Sequence, residues 1–153
     1  MLVPLRFGAH VGTGVVSRLI RWQQRSDVSH ISIIDNDNRL IEALEFRGVT
    51  DDRTLDSVRN EQRVDVYSVL VTPEQYARAI QWARSQVGKK YDYWSVLRFV
   101  TRRYARENNG KWFCSELAFV AAQKAGVALL KRIPASEVSP GHFVMSPLLT
   151  HES

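Results

Sequence analysis

The sequence is poor in cysteine: its 153 residues include only one, Cys114. A single cysteine excludes an internal disulfide framework and a zinc site built from several thiolates. No apolar run reaches the ~18 residues that a membrane-spanning helix needs. Residues 1–14 also lack an apolar core of the length found in secretory signals. We therefore expect one domain over residues 1–153 with no signal peptide and no membrane span, with its site of action left open.

Positive charge is in moderate excess, with 21 Lys and Arg against 16 Asp and Glu, a net charge of +5 and a pI near 9.7. This balance suits a polyanion such as nucleic acid, an anionic cell-wall polymer or a membrane surface. A solvated basic face explains it equally well. Residues 100–106, VTRRYAR, interleave aromatic and basic side chains as phosphate-binding segments do, but a solvated helix face is the commoner explanation. Nucleic acid is therefore an unlikely partner.

Hydrophobic periodicity predicts a helix, a run of strands and then further helices. The clearest β signal is the segment from His30 to Asp35, which a turn at 36–38 joins to a second strand over 39–46. Further strands are predicted at 3–7, ending at Gly8, at 63–71 and at 142–145. Helices are predicted at 15–24, 73–87, 93–106 and 114–124, with a loop at 50–62. This order indicates an α+β fold, with an antiparallel sheet packed against helices.

Cys114 lies where the helix 114–124 begins. A helix N-terminus carries partial positive charge and unpaired N–H groups, and both stabilise a thiolate. A nucleophilic cysteine also needs an adjacent base and a group that orients the base. Without those partners, a lone cysteine in a helix is more often a small buried apolar residue.

His30 and Glu42 are the candidate partners of Cys114. A turn centred near Asn36 would place them opposite each other on the two strands, with Cβ atoms ~5 Å apart on one face. Glu42 lies between Ile41 and Ala43, where a carboxylate needs a polar partner. A carboxylate that holds one imidazole nitrogen leaves the other for a thiol. A register shifted by one residue would turn Glu42 away, and Glu45, of opposite parity, is the alternative.

Tyr91, in the segment GKKYDYW, is predicted to lie on a loop before a helix. Its hydroxyl could donate to an oxyanion, although Asp92 capping the helix and Tyr91 packing on it explain the same residues. His142, in the segment SPGHF, is expected to be structural or peripheral.

Segments across residues 8–147 together resemble the YiiX/YebB-like branch of the NlpC superfamily of cysteine hydrolases. They are SRLIRWQQRSDVSHISII, EAL, GKKYDYWSVL, WFCSEL and VSPGHFVMSP. The resemblance implies a circularly permuted papain-like fold, because His30 precedes Cys114 in this chain. It also implies Cys114 as nucleophile, His30 as base, Glu42 as the residue that orients the base, and Tyr91 in a loop that carries a Tyr-Asp pair. The chain departs from the family pattern in two ways. It has His142 where the family has an aspartate, and it lacks the secretion or lipoprotein signal of many relatives, so a cytoplasmic protein or one encoded by a phage or prophage is expected.

The resemblance implies a cysteine peptidase or amidase with a Cys-His-Glu triad, acting on an amide bond, for instance in peptidoglycan stem peptides. A thiol acyltransferase or lipase-like enzyme at membranes is the second hypothesis. Under this hypothesis, four large aromatic residues would form an apolar groove for the acyl chain: Trp22, Trp94, Phe99 and Trp112. The same residues could equally be core residues, and at least two of them are expected to be. The third is a non-enzymatic binding module on a degenerate hydrolase fold. No cofactor or metal is expected, and the oligomeric state is left open.

Overall fold

The computed structural model describes residues 1–12, 15–24, 26–92 and 112–153. The strands are β1 Val3–Val11, β2 His30–Ile34, β3 Arg39–Leu44, β4 Gly48–Thr54, β5 Arg63–Val71 and β6 Thr150–Glu152. The helices are α1 Val15–Gln24, α2 Leu55–Arg59, α3 Pro73–Ser85, α4 Cys114–Lys124 and α5 Pro140–Val144, with a 3₁₀ turn at Ala135–Glu137.

The six strands form one antiparallel sheet in the order β4-β3-β2-β1-β5-β6. This confirms the α+β class and the antiparallel sheet packed against helices. None of the helices in the described part of the chain is long and apolar enough to cross a membrane.

Helix α4 is the central helix of the fold and packs against α3, β2 and β3. Seven residues after Cys114 are also buried along it, so the helix is enclosed on nearly every side rather than along one apolar stripe: Ser115, Glu116, Leu117, Ala118, Phe119, Ala121 and Ala122. A helix buried in this way has a fixed position, and its first residue is fixed with it.

Sheet parity separates two apolar clusters. Ile31, Ile33 and Ile41 belong to the main core with α4, whereas Ile34 and Leu40 form a smaller cluster with α2 and β5. By parity His30 shares the face of Ile34, opposite the main core. It is also the first residue of β2, at the end of the strand, and there it interacts with Cys114 at the N-terminus of α4.

The predicted register of the β2–β3 hairpin is wrong by two residues. Ile33 pairs with Ile41 and Ile34 with Leu40, and continuing this pairing places Glu42 opposite Ser32. The turn determines this register. The Asp35 carboxylate accepts hydrogen bonds from the N–H groups of Asp37 and Arg39, and Asn38 adopts a left-handed φ of 58°. A shift of two residues preserves parity, so His30 and Glu42 still lie on the same face.

The predicted loop at 50–62 contains most of β4 and all of α2, and that prediction is wrong. The segment is polar because β4 is an edge strand of the sheet. The strand predicted at 142–145 is instead part of α5, which Ser139 caps in a box with His142 and Pro140 begins. The exposed His142 thus has the structural role expected of it. Strand β6 was not predicted, and the helix predicted at 93–106 lies outside the described residues.

The first strand does not end at Gly8 but continues through it to Val11. A Cβ at Gly8 would lie 2.6 Å from Ser32 Oγ and 3.2 Å from His10 Nε2. Glycine is required at this position for close approach of neighbouring side chains, not for a break in the strand.

Candidate active site

His30 lies between the side chains of Glu42 and Cys114. Its Nε2 donates a hydrogen bond of 2.7 Å to Glu42 Oε2. In the observed register Glu42 lies opposite Ser32, so His30 and Glu42 are diagonal neighbours on adjacent strands. His30 also interacts with the side chain of Cys114, and since Nε2 is engaged by Glu42, Nδ1 is the nitrogen left for the thiol. The His30 side chain is 16% exposed and Glu42 is fully buried, so the site meets solvent on the His30 side.

Cys114 is the first residue of α4 and is 1% exposed. Phe113 precedes it in extended conformation as the N-cap residue. The N–H groups of the first turn have no partner within their own helix, and they point towards the region of the thiol. Ser115 fixes this end of the helix, because its buried hydroxyl donates to the carbonyl of Val138.

The neighbours of His30 favour its protonated form. Burial alone would lower the pKa of His30, but interaction with Cys114 and with the carboxylate of Glu42 raises it from 6.5 to about 10. Burial alone would raise the pKa of Glu42, but the adjacent His30 and Arg53 lower it from 4.5 to about 2. The pair is therefore an imidazolium and a carboxylate at neutral pH.

Arg53 fixes the other side of the Glu42 carboxylate. Its Nε donates to Oε1 at 2.8 Å and its Nη2 to Oε2 at 3.0 Å, from the neighbouring strand β4. A bidentate guanidinium determines the plane of a carboxylate as well as its charge. Arg53 is not among the residues predicted from the sequence, because it lies in segment 50–62, where a loop is predicted, and a polar edge strand carries little sequence signal.

His10 is a second histidine beside the site and was also missed. It pairs with His30 across β1 and β2, and their ring centroids lie 4.7 Å apart in an edge-to-face arrangement. His10 is fully buried, and its Nε2 is hydrogen-bonded to Ser32 Oγ at 2.8 Å. Burial and the nearby charge of His30 lower the pKa of His10 from 6.5 to about 3, so this imidazole is neutral. Only the pairing of β1 with β2 reveals the contact.

Tyr91 and Glu45 are the other two residues singled out from the sequence. Tyr91 is buried and forms a bridge with Trp112, and its ring lies 6.0 Å from that of Phe113, the residue before Cys114. Glu45 follows the end of β3, whereas Glu42 makes the contact with His30. The polar network thus runs from His10 through His30 to Glu42 and Arg53.

Three of these residues could hold a metal ion. His10, His30 and Glu42 each bring one potential ligand atom to within 4.8 Å of the others. The Nδ1 atom of His10 is buried and has no hydrogen-bond partner in the described part of the chain.

No protein-family model and no curated protein matches the sequence. Among solved structures, the chain is similar to the crystal structure of the metalloprotein YiiX from Escherichia coli O157:H7, DUF1105. The TM-score is 0.74 and the sequence identity 21%, with 98% of this chain and 96% of that chain covered. The likeness extends over both whole chains, and at this level of identity it shows a common fold. The chain therefore has a YiiX-like fold.

Proposed function

We propose that this protein is a cysteine hydrolase that cleaves an amide bond with Cys114 as nucleophile, His30 as base and Glu42 as the residue that orients His30. The observation that carries the proposal is the position of His30 between the thiol and a buried carboxylate, 2.7 Å from Glu42. Such a partner, at a helix N-terminus, is what activates a thiol in proteins. The order of His30 before Cys114 supports the permuted papain-like arrangement.

The reaction begins from a Cys114 thiolate and a protonated His30. The sulfur attacks the carbonyl carbon, and the C–S bond forms as the carbonyl oxygen takes the negative charge. The N–H of Cys114 stabilises this oxyanion, and the Tyr91 hydroxyl is the proposed second donor. His30 gives its proton to the leaving nitrogen, and the C–N bond breaks. His30 then takes a proton from water, the resulting hydroxide attacks the thioester, and a carboxylic acid and the thiolate are released.

Glu42 and Arg53 act by positioning. Glu42 holds Nε2, keeps the ring in one orientation and stabilises its charge, while Arg53 prevents the carboxylate from turning away. Arg53 also compensates for burial of the carboxylate, because an unpaired buried charge is strongly destabilising.

The substrate class follows from the resemblance and from the charge. Peptide amides, including those of peptidoglycan stem peptides, suit a basic amidase. A specific observation favours lipid acyl groups as a second candidate: α1 exposes Leu19 and Trp22, the latter at 72%, beside the exposed Arg18. Exposed apolar residues next to basic ones suit an anionic lipid surface. Trp22 is thus not a core residue, whereas Trp112 is buried. Trp94, Phe99 and residues 100–106 lie outside the described residues.

The structural neighbour YiiX is described as a metalloprotein, so a metal-dependent reaction is the alternative to compare with the residues of this chain. Two imidazoles and one carboxylate form a donor set that binds catalytic zinc. In this chain, however, Arg53 donates to both oxygens of Glu42, and His30 donates to one of them. A divalent cation at Glu42 would lie against a guanidinium of like charge. The arrangement of these residues does not fit a metal ion, and no step of the proposed reaction passes through one.

The test is the rate of alkylation of Cys114 by iodoacetamide as a function of pH, measured by intact mass. Because the chain has one cysteine, each added carbamidomethyl group reports on Cys114. We expect rapid alkylation well below pH 8 in the wild type, and loss of that low-pH reactivity in His30→Ala. Cys114→Ser is the control for other sites. Equal pH profiles in wild type and His30→Ala, or no alkylation of the folded protein, would contradict the proposal.

Substrate assays complete the test. Cys114→Ser and His30→Ala should abolish release of a free amine from peptide amides, and Tyr91→Phe should slow it by about 10²-fold if the hydroxyl holds the oxyanion. Liposome co-sedimentation that depends on Trp22 and on anionic lipid, with acyl ester cleavage, would favour the lipid candidate instead.

A further inference from the structure

A cavity of about 390 Å³ lies between the turn that follows β3 and the loop that follows α3. Its walls include Phe46 and Arg47 from the turn, and Lys89, Lys90 and Tyr91 from the loop. Apart from Tyr91, none of its lining residues has a role in the proposed reaction, and the shape and charge of the cavity point to a ligand.

The cavity is positively charged. Arg47, Lys89 and Lys90 are all exposed around it, and the described residues that line it include no acidic side chain. Asp52 pairs with Arg47 on an exposed surface, where such a pair contributes little and a ligand can replace it. Three cations around one concave surface form a site for an anion.

Backbone contacts hold the two walls together. The N–H of Val49 donates to the carbonyl of Lys89 at 2.8 Å, and the N–H of Gly88 donates to the carbonyl of Val49 at 2.9 Å. Gly48 has a φ of +79°, and a Cβ there would lie 2.2 Å from the carbonyl oxygen of Lys89. Because the backbones are in direct contact, the Cα positions of Arg47 and the two lysines are fixed relative to one another.

Phe46 adds an apolar surface to the cavity. It is 87% exposed and has a φ of 66°, a conformation that a bulky residue rarely adopts. Phe46 lies outside the two buried clusters, and backbone strain of this kind is concentrated at binding sites. A ligand with an apolar group next to its negative charge would contact both Phe46 and the cations.

The cavity adjoins the segment that precedes the nucleophile. Tyr91 lines it and bridges to Trp112, and the N–H of Trp112 donates to the carbonyl of Lys90 at 3.0 Å. The ring of Tyr91 also approaches that of Phe113, the residue before Cys114. Tyr91 and Trp112 thus connect a wall of the cavity with the residues that lead into Cys114.

We propose that this cavity is a substrate subsite that binds a carboxylate of an acidic peptide, with Arg47, Lys89 and Lys90 around the anion and Phe46 against a neighbouring apolar group. The proposal rests on the proposed hydrolysis of peptide amides. It adds a preference for acidic peptides, which the Cys-His-Glu arrangement alone does not provide.

The test measures equilibrium binding rather than turnover, with Cys114→Ser protein so that the peptide stays intact. The probes are two rhodamine-labelled peptide amides, Phe-Glu-Ala-Glu-Ala and its Gln counterpart, Phe-Gln-Ala-Gln-Ala, followed by fluorescence anisotropy. We expect the Glu peptide to bind about tenfold more tightly than the Gln peptide. The double substitution Lys89→Gln/Lys90→Gln should abolish this ratio. The control Arg59→Gln/Lys131→Gln removes two exposed charges that do not line the cavity, and should keep it.

A second variant separates binding from folding. Phe46→Gly relieves the left-handed φ, so its thermal midpoint should not fall, while its affinity for the Glu peptide should. Equal affinities for the Glu and Gln peptides, or the same loss of preference in the control, would overturn the proposal. So would Lys89→Gln/Lys90→Gln losing binding to phosphatidylglycerol vesicles while the peptide preference is retained. The hydrolase proposal fails separately, if alkylation of Cys114 does not depend on His30.

Discussion

His10 and His30 face each other across β1 and β2, with ring centroids 4.7 Å apart. Their pKa values are nevertheless shifted in opposite directions. The pKa of His10 is lowered to about 3, and that of His30 is raised to about 10. Both rings are shielded from bulk water, although His30 keeps some exposure. The difference must therefore come from their other neighbours.

The two histidines have different polar side chains beside them. His10 has a neutral hydroxyl, Ser32, whereas His30 has the carboxylate of Glu42 and the thiol of Cys114. Burial opposes the charge of an imidazole, and only a nearby anion reverses that effect. The network thus holds one proton on His30, and His10 supports the ring without competing for it.

The largest change in this comparison should come from Glu42→Gln. It removes one of the two neighbours that raise the pKa of His30 and leaves Arg53 without its counter-charge. We expect the pKa of His30 to fall but to stay above that of His10, because Cys114 still raises it. Breaking a buried ion pair of this kind costs about 3–5 kcal/mol. Urea unfolding measures the stability, and NMR titration of the histidine rings measures the pKa. Asp65→Asn, which breaks the more exposed pair with Arg63, is the control and should cost less than about 1 kcal/mol.

The pH dependence of stability should separate the two histidines. The lowered pKa of His10 gives stability that is complete above 6.5 and lost as pH falls towards 3. The raised pKa of His30 gives stability that is complete below 6.5 and lost as pH rises towards 10. Glu42 adds to the acid-side loss only below its ordinary value of 4.5. Stability should therefore be greatest near pH 6.5.

Two variants assign these slopes. Between pH 6.5 and 4.5 the unfolded chain binds a proton at His10 that the folded protein does not, which lowers the free energy of unfolding by about 2 kcal/mol. His10→Gln should remove most of that loss and still provide a hydrogen-bond partner for Ser32. His30→Gln should flatten the alkaline side instead. Denaturant unfolding at a series of pH values measures both. An unchanged acid-side slope in His10→Gln would show that His10 titrates normally.

Gly8→Ala should disturb His10 without touching His30. The added Cβ would lie 2.6 Å from Ser32 Oγ, so the hydroxyl must leave its hydrogen bond with His10. Overpacking of this kind costs about 1–3 kcal/mol. Gly88→Ala is a useful comparison, because no atom lies within 4 Å of its Cβ and its cost comes from the φ of +92° alone. If Gly8→Ala left the stability unchanged, the close packing around His10 would be refuted.

The sequence predicted the parts of this site that depend on local pattern. Helix α4 was predicted with its first residue at Cys114, because the apolar segment starts there and Gly126 stops it. His30 and Glu42 were predicted on the same face of the sheet, and this prediction is confirmed because the predicted register is wrong by two residues, an even number. Arg53 and His10 were missed because each depends on a strand pairing between segments that local pattern does not connect. The roles given to Cys114, His30, Glu42 and Tyr91 stay predictions until the thiol is tested.

The smallest expected effect is that of removing metal. If Arg53 supplies the positive charge at Glu42, overnight dialysis against EDTA should leave the pH profile of Cys114 alkylation unchanged. Arg53→Gln should behave differently, because it frees both oxygens of Glu42 beside His10 and His30. In that variant, added zinc should bind and slow alkylation, with binding measured by competition with a chromophoric chelator. Loss of wild-type reactivity in EDTA, restored by zinc, would mean that a metal rather than Arg53 balances the charge of Glu42.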